Sequence, residues 1–211
     1  MARKLKEKYF IDDKILGSAQ LKIENVKQAA NYVHEILDKI DSKLLSEGAD
    51  RISEMIELAN LSSMLGNLFG AGIANYSKGV FKRNGSHKYP DILAISKTAS
   101  DIEIKFALED NKPKGHLAKA GFYLTCRYML GDEKGNIDLS KRGNVVWIWE
   151  IRFGYLKLKH FNISNTAGDS GKTAVVNKEG FAELKVLYCD LEKCPHSKTG
   201  KTYNSYLNLY Q

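Results

Sequence analysis

The spacing of hydrophobic residues predicts two helices in the first third of the chain. Between about Ser18 and Leu45 the hydrophobic positions recur at alternating steps of four and three residues, which predicts an amphipathic helix. They are Val26, Ala30, Val33, Leu37, Ile40 and Leu44. A second helix is predicted from about Asp50 to Phe69, with inward-facing residues Ile52, Ile56, Ala59 and Leu65, and glycines towards its end at Gly66, Gly70 and Gly72.

A β-hairpin is predicted after these helices. Ile92–Ile95 is a short apolar run, Ser96–Ser100 is polar, and Asp101–Phe106 alternates polar and apolar residues with a period of two. The basic segment Lys78–Lys88 is predicted to be a loop that leads directly into the hairpin.

The hairpin carries charged residues on one face. Alternation places Glu103 and Lys105 together on the second strand, while its hydrophobic residues point the other way. With a turn centred near Thr98, Asp91 would face Lys105 directly and Glu103 diagonally, within side-chain reach.

The remaining pattern mixes helices and strands. We predict a loop at residues 111–115, a third helix at His116–Leu130 and a fourth at about Lys178–Leu184. Strands are predicted at Val145–Ile151, Tyr155–Phe161, Thr173–Asn177 and Lys185–Cys189. The fold class is therefore α/β (mixed α+β), with a central mixed β-sheet flanked by helices. We expect one domain over residues 1–211, with a helical N-terminal part at about 18–70 and a core at about 89–190.

Composition favours a globular protein with an anionic partner. The net charge is +7, with 43% hydrophobic residues and three prolines. A basic excess suits a polyanion, although many basic proteins bind none. The charged N-terminus lacks the apolar core of a signal peptide, and no apolar run is long enough to span a membrane. Three scattered cysteines fit a reducing cytoplasm.

The charged face of the hairpin suggests a chemistry. Two carboxylates and one lysine beside a buried strand can hold a divalent cation against a phosphate. The charges lie within apolar runs, where an unpaired charge is costly. The alternative is a surface hairpin whose Glu103 and Lys105 are simply solvated.

The sequence Tyr89-Pro90-Asp91-Ile92, followed by Glu103-Ile104-Lys105, resembles the motif of the PD-(D/E)XK nuclease superfamily, in particular the type II restriction endonucleases. The local match covers about residues 89–106. With the predicted helix before it, and the predicted helix and strands after it, the architectural match extends to about half of the chain. The resemblance implies a restriction-endonuclease-like core and a Mg²⁺ cofactor.

The resemblance also implies roles for these residues. Asp91 and Glu103 would be carboxylate ligands to Mg²⁺, and the carbonyl of Ile104 a third ligand. Lys105 would orient or help to deprotonate the attacking water and offset charge on the phosphate oxygens. The family often adds an acid from an upstream helix, for which Glu54 and Glu57 are candidates, Glu57 slightly favoured. The alternative for both is a solvated helix face.

Candidate DNA contacts lie in two loops. The first loop precedes Asp91, and its Arg83 and Lys88 would contact backbone phosphates while Asn84 reaches a base edge. The second loop spans residues 165–173 and is rich in short polar side chains; its candidates are Asn165, Lys172 and Thr173. An ordinary basic surface loop and an ordinary flexible connection are the alternatives. Lys112, Lys114 and Lys119 would track phosphates or be solvated.

The resulting hypothesis is a Mg²⁺-dependent type II restriction endonuclease that hydrolyses double-stranded DNA at a specific site. Such an enzyme usually acts as a homodimer and has a cognate methyltransferase. The stripe from Val26 to Leu44 would form either the dimer interface or an intramolecular core contact. The alternatives are a repair or junction-nicking nuclease of the same superfamily and a non-catalytic basic DNA-binding module.

Overall fold

The computed structural model describes residues 3–86, 88–164 and 173–211. Its α-helices are α1 (Ile23–Ser46), α2 (Ile52–Met55), α3 (Leu58–Tyr76), α4 (Lys178–Glu183) and α5 (Lys201–Leu207). Its strands are β1 (Phe81–Arg83), β2 (Ile92–Ala94), β3 (Ile102–Leu108), β4 (Lys114–Gly115), β5 (Gly121–Gly131), β6 (Val145–Leu156), β7 (Phe161–Ser164), β8 (Thr173–Val176) and β9 (Lys185–Cys189). Short 3-10 helices lie at Glu7–Tyr9, Lys14–Ala19, Leu158–His160 and Asn208–Tyr210.

A six-stranded mixed sheet forms the centre of the fold, in the order β1-β2-β3-β5-β6-β9. All neighbours are antiparallel except β3 and β5, which are parallel. A second sheet, in the order β4-β8-β7, is antiparallel. The predicted fold class, a mixed sheet with flanking helices, is confirmed.

The predicted first helix is confirmed as α1. The first four positions of its stripe are buried inside the chain, since Val26, Ala30, Val33 and Leu37 are at most 1% exposed, while the last two are half-buried. The hydrophobic face of α1 therefore packs in the core, as burial of one apolar stripe requires. It is not available as the dimer interface that was the other interpretation of this stripe.

The predicted second helix is wrong in its bounds. The chain is extended at Ile56 and Glu57, which separates α2 from α3, and α3 continues to Tyr76. Ala59 is exposed rather than inward-facing.

The three glycines of α3 lie inside the helix instead of ending it. A Cβ at Gly72 would lie 2.7 Å from the Cα of Ala29, so this glycine lets α1 and α3 approach closely. A Cβ at Gly70 would lie 3.2 Å from Cδ1 of Ile92 and 3.4 Å from Cδ1 of Ile104, so α3 packs directly under the hairpin.

The predicted third helix is wrong. Most of residues 116–130 form β5, a strand whose residues from Tyr123 onwards are buried. A strand covered on both faces is apolar almost throughout, so its apolar positions also match a helical spacing. β5 pairs with β3 on one side and β6 on the other, which makes it a central strand.

Smaller differences concern the edges of the sheet. The predicted loop before the hairpin contains β1, and the loop at 111–115 ends in β4. The two strands predicted at 145–151 and 155–161 are one continuous strand, β6, followed by a 3-10 helix and β7. The predicted elements at 173–177, 178–184 and 185–189 are confirmed as β8, α4 and β9.

One hydrophobic core connects the N-terminal helices with the sheet. It includes Val26 of α1, Leu65 of α3, Ile104 of β3 and Tyr128 of β5. Among the described residues, no helix is both long enough and apolar enough to cross a membrane.

Candidate active site

The register of the hairpin brings the two predicted carboxylates face to face. Ile92 of β2 pairs with Ile102 of β3, and continuing this antiparallel register by one residue places Asp91 opposite Glu103. The expectation that Asp91 faces Lys105 is therefore wrong by two residues, because the turn is centred near Lys97 rather than Thr98. The correction brings the two acids closer together.

Hydrogen bonds hold the carboxylates in place. The main-chain N–H of Ile104 donates to Oδ2 of Asp91 at 2.8 Å, and that of Asp91 donates to Oε2 of Glu103 at 3.2 Å. The ammonium of Lys105 forms an ion pair with Oε1 of Glu103. Asp91, Glu103 and Lys105, hereafter the open site, are therefore joined by direct contacts.

The open site combines burial with access. Glu103 is only 8% exposed, whereas Asp91 and Lys105 are half-buried. Burial raises the pKa of Glu103, and the negative charge of Asp91 raises it further, while the charge of Lys105 lowers it. Raised pKa values of this kind are typical of functional sites, because like charges are held together in a poorly solvated place.

The oxygen atoms of the open site fit a divalent cation. Oδ1 of Asp91 has no hydrogen-bond partner among the described residues, so it is free to bind an ion. Two carboxylates and a neighbouring main-chain carbonyl, that of Ile104, are the hard ligands that Mg²⁺ prefers. Asp91, Glu103 and Ile104 would hold the ion, and its charge would offset the repulsion between the two acids. Within the described ranges, no cluster of three or more histidine, cysteine or acidic side chains has a metal-binding arrangement, and the open site itself supplies two acids.

The predicted upstream acids do not join the site. Glu57 is the N-terminal flanking residue of α3 and is exposed. The hairpin packs over Gly70, thirteen residues further along, which corresponds to about 20 Å at the helical rise of ~1.5 Å per residue. Glu54 accepts a hydrogen bond at 3.0 Å from Nδ2 of Asn144, at the start of β6. The proposed fourth ligand from Glu57 is therefore not supported.

Two tyrosines that the sequence analysis did not single out lie beside Glu103. Tyr89 precedes Asp91 by two residues, and Tyr123 of β5 pairs with Glu103 in the parallel register. Burial raises the pKa of both phenols, and the charge of Glu103 contributes to both shifts. Tyr89 was detectable from its place next to the motif. Tyr123 is not detectable from the sequence, because the pattern of residues 116–130 predicts a helix there.

The candidate DNA contacts of the first loop have different surroundings. The Asn84 side chain donates to the carbonyl of Pro90 at 2.9 Å, so it braces the loop against the strand that follows instead of pointing freely outwards. Arg83 donates a hydrogen bond of 2.9 Å to Oδ1 of Asn67, a residue of α3, and remains exposed. Lys88 is exposed.

Most of the second loop lies outside the described residues. Asn165 and Lys172 lie outside the described residues. Thr173 is the first residue of β8 and pairs with Ser164 of β7.

A second charged cluster lies on the same face of the sheet as the open site. Lys105, Thr125 and Arg152 are paired across β3, β5 and β6, and Arg127 is paired with Glu150 two residues further along. Paired residues of neighbouring strands share a face, so all of these side chains lie on one side of the sheet.

This second cluster is closed to solvent. Glu150 is 1% exposed and forms ion pairs with Nε of Arg127 at 2.8 Å and Nε of Arg152 at 2.7 Å. The hydroxyl of Tyr206 from α5 contacts both Glu150 and Arg152. The ring of Phe181 from α4 lies 4.3 Å and 4.2 Å from the two guanidinium carbons. Arg127, Glu150, Arg152 and Tyr206 are hereafter the closed cluster.

Two cavities of the fold lie away from the open site. One, of about 450 Å³, lies between the N-terminal segment and the start of β6, and another, of about 430 Å³, adjoins Glu109 and Leu139. Neither is lined by Asp91, Glu103 or Lys105. The open site is therefore separate from both cavities, and its Asp91 and Lys105 side chains are partly exposed.

Comparison with known proteins adds no assignment: no family model matches the chain, and no curated protein is significantly similar to it.

Proposed function

We propose that this chain is a Mg²⁺-dependent endonuclease that hydrolyses phosphodiester bonds of double-stranded DNA, as a type II restriction enzyme does. The observation that supports this best is the convergence of Asp91, Glu103 and Lys105 through direct contacts on one face of a hairpin. The net charge of +7 suits a polyanionic substrate. A surface site suits a polymer better than a small molecule, which usually binds in an enclosed pocket.

Each residue of the open site has a part in the proposed reaction. A bound Mg²⁺ would lower the pKa of water and offset the charge of the scissile phosphate. Asp91 and Glu103 would hold the ion, and one oxygen of each carboxylate is fixed by a main-chain N–H group. Water oxygen forms a bond to phosphorus, the ester bond to the leaving oxygen breaks, and that oxygen takes up a proton. The proton of the attacking water passes to solvent. The Lys105 ammonium stabilises the charge that builds on the non-bridging oxygens.

The setting of the enzyme follows from the same proposal. A palindromic DNA site presents two equal half-sites, so we expect a homodimer. A restriction enzyme also requires a cognate methyltransferase that protects the host DNA. The three cysteines are unpaired, as expected of a protein in the reducing cytoplasm.

Cleavage of supercoiled plasmid in Mg²⁺ tests the proposal. We expect discrete fragments from the wild-type protein and none in a chelator. Lys105→Met should retain DNA binding but lose at least about a hundredfold in cleavage rate, the scale for removing an electrostatic group from an active site. Lys97→Met is the matched control, because Lys97 is an exposed lysine in the turn of the same hairpin.

The outcomes separate the alternatives. Nicked circles in place of linear fragments would favour the repair or junction nuclease. DNA binding without any Mg²⁺-dependent cleavage would favour the non-catalytic binding module. Cleavage that survives Asp91→Ala combined with Glu103→Ala would remove the site assignment altogether.

A further inference from the structure

A second lysine lies beside the open site in an unusual setting. The ammonium of Lys119 lies 3.9 Å from the ring centre of Tyr89. The hydroxyl of Tyr123 donates to the carbonyl of Lys119 at 2.9 Å, and that of Tyr89 donates to the carbonyl of Ala120 at 3.2 Å. Both the side chain and the main chain of Lys119 are thus held by the two tyrosines that flank Glu103.

This arrangement places a positive charge over the ring of Tyr89, which is close to the motif in the sequence. Tyr89 is two residues from Asp91, and Tyr123 is the β5 partner of Glu103. The close approach of Tyr89 to this segment depends on Gly121, where a Cβ would lie 2.8 Å from the Tyr89 hydroxyl. The segment that carries Lys119 is therefore packed against the motif.

The charge of Lys119 is available, whereas that of Lys105 is engaged. Lys105 is paired with Glu103. Within the part of the chain that the structure describes, Lys119 has no carboxylate within ion-pair distance. An aromatic face attracts an ammonium without neutralising it, so the lysine keeps its ability to bind an anion.

We propose that Lys119 binds a phosphate of the DNA backbone next to the scissile phosphate, and that Tyr89 is its positioning residue. The inference rests on the proposed function, since it concerns the same substrate. Lys119 acts on DNA binding and not on the chemical step, because its ammonium is directed to a ring beside the carboxylates and not to the carboxylates themselves.

Binding measurements on Lys119→Met test this inference. DNA affinity is measured by fluorescence anisotropy in chelator, over a range of salt concentrations, with a duplex that the wild type binds. We expect about tenfold weaker binding and a salt-dependence slope smaller by about one, as for the loss of one phosphate contact. The kcat for cleavage should stay within about twofold of wild type, with the loss appearing in KM.

Lys97→Met is the matched control. Lys97 is an exposed lysine in the turn between β2 and β3 with no proposed contact to DNA, and its replacement removes the same charge from the whole protein. We expect its affinity and slope to stay close to those of the wild type. Equal effects of the two substitutions would overturn the proposal, because only the net charge would then matter.

Two substitutions at Tyr89 test the positioning. Tyr89→Phe keeps the ring under the ammonium and should bind DNA nearly as the wild type does. Tyr89→Leu removes the ring and should weaken binding, and combining it with Lys119→Met should add little to the effect of Lys119→Met alone. Fully additive losses would show that the ring does not act through the lysine.

Failure of this inference is distinguishable from failure of the proposed function. If the wild type cleaves DNA and Lys119→Met behaves like Lys97→Met, only the role of Lys119 is overturned. If the wild type binds DNA without cleaving it, the proposed chemistry fails while the binding test of Lys119 still gives its answer. If the wild type binds no DNA, both proposals fail.

Discussion

The open site and the closed cluster use similar residues on one face of one sheet, with opposite results. Each combines carboxylate with cationic groups. In the closed cluster, Glu150 is enclosed by two arginines and a tyrosine hydroxyl beneath Phe181. In the open site, a lysine engages one acid while Oδ1 of the other has no partner among the described residues.

The open site and the closed cluster differ in the ratio of acidic to basic side chains and in their exposure to solvent. The closed cluster has two arginines for one glutamate, so its acid is fully paired. The open site has two acids for one lysine, and burial raises the pKa of Glu103 instead of leaving it at its usual value. An excess of negative charge at an accessible place favours binding of a cation, whereas an enclosed and paired set favours stability of one fold. Charged residues in a sheet therefore indicate a site only when a ligand atom is left without a partner.

Removing Glu150 should produce the largest change in stability. Glu150→Ala leaves Arg127 and Arg152 buried without their carboxylate, and breaking a buried pair in this way costs about 3–5 kcal/mol. Urea unfolding at pH 7 measures the free energy. Glu103→Gln in the open site is the contrasting variant and should change stability by less than about 1 kcal/mol, because a paired and a repulsive interaction are lost together. If Glu150→Ala and Glu103→Gln lost equal amounts of unfolding free energy, the closed cluster would be no more important for stability than the open site.

Removing the Tyr206 hydroxyl should have a smaller effect of the same kind. Tyr206→Phe leaves the ring in place but removes the contacts with Glu150 and with Arg152, the latter at 2.8 Å. The expected loss is about 1.5–3 kcal/mol of unfolding free energy, the usual contribution of a hydrogen bond to a charged group. Plasmid cleavage by the folded variant should be unchanged. A variant that unfolds normally but cleaves slowly would show that the closed cluster contributes to the reaction.

The pH dependence of Glu103 should give the smallest effect, with a definite sign. Because its pKa is raised in the folded state, the folded protein holds the proton more tightly than the unfolded chain does. The unfolding free energy therefore falls as pH rises from the ordinary value of 4.5 through the raised pKa, by this residue's contribution. Subtracting the unfolding free energy of Glu103→Gln from that of the wild type across this pH range isolates the contribution of Glu103. If the wild type instead became more stable relative to Glu103→Gln as pH rises, the raised pKa would be contradicted.

The candidate site was predictable because it is local. Asp91, Glu103 and Lys105 belong to one hairpin, whose alternating residues set the faces of the strand before any long-range contact is known. For these three residues the predicted register was wrong, since it depends on where the turn falls, but a shift of two residues keeps every side chain on its face. The sequence pattern marks Lys119 as a candidate phosphate contact, but it does not specify the pairing of β3 with β5 that brings Tyr123 beside Glu103.

The fold was predictable where periodicity is unambiguous. The stripe of α1 alternates with polar residues, so its period identifies a helix. The residues of β5 are apolar almost continuously, and such a run matches both a helix and a covered strand. The aromatic residues Phe122, Tyr123 and Tyr128 favoured the strand. The support that the resemblance drew from a helix after the hairpin is lost with this correction, while the support from α3 before it remains.

At Gly70 the hairpin packs directly against the main chain of α3. Ile92, which follows Asp91, and Ile104, which separates Glu103 from Lys105, both rest on α3 at the point where this residue has no side chain. One added methyl group there would require its neighbours to yield by a few tenths of an ångström. Gly70→Ala is therefore expected to change the distance between Asp91 and Glu103 by displacing the isoleucines next to them. This substitution alters no ionisable group of the protein.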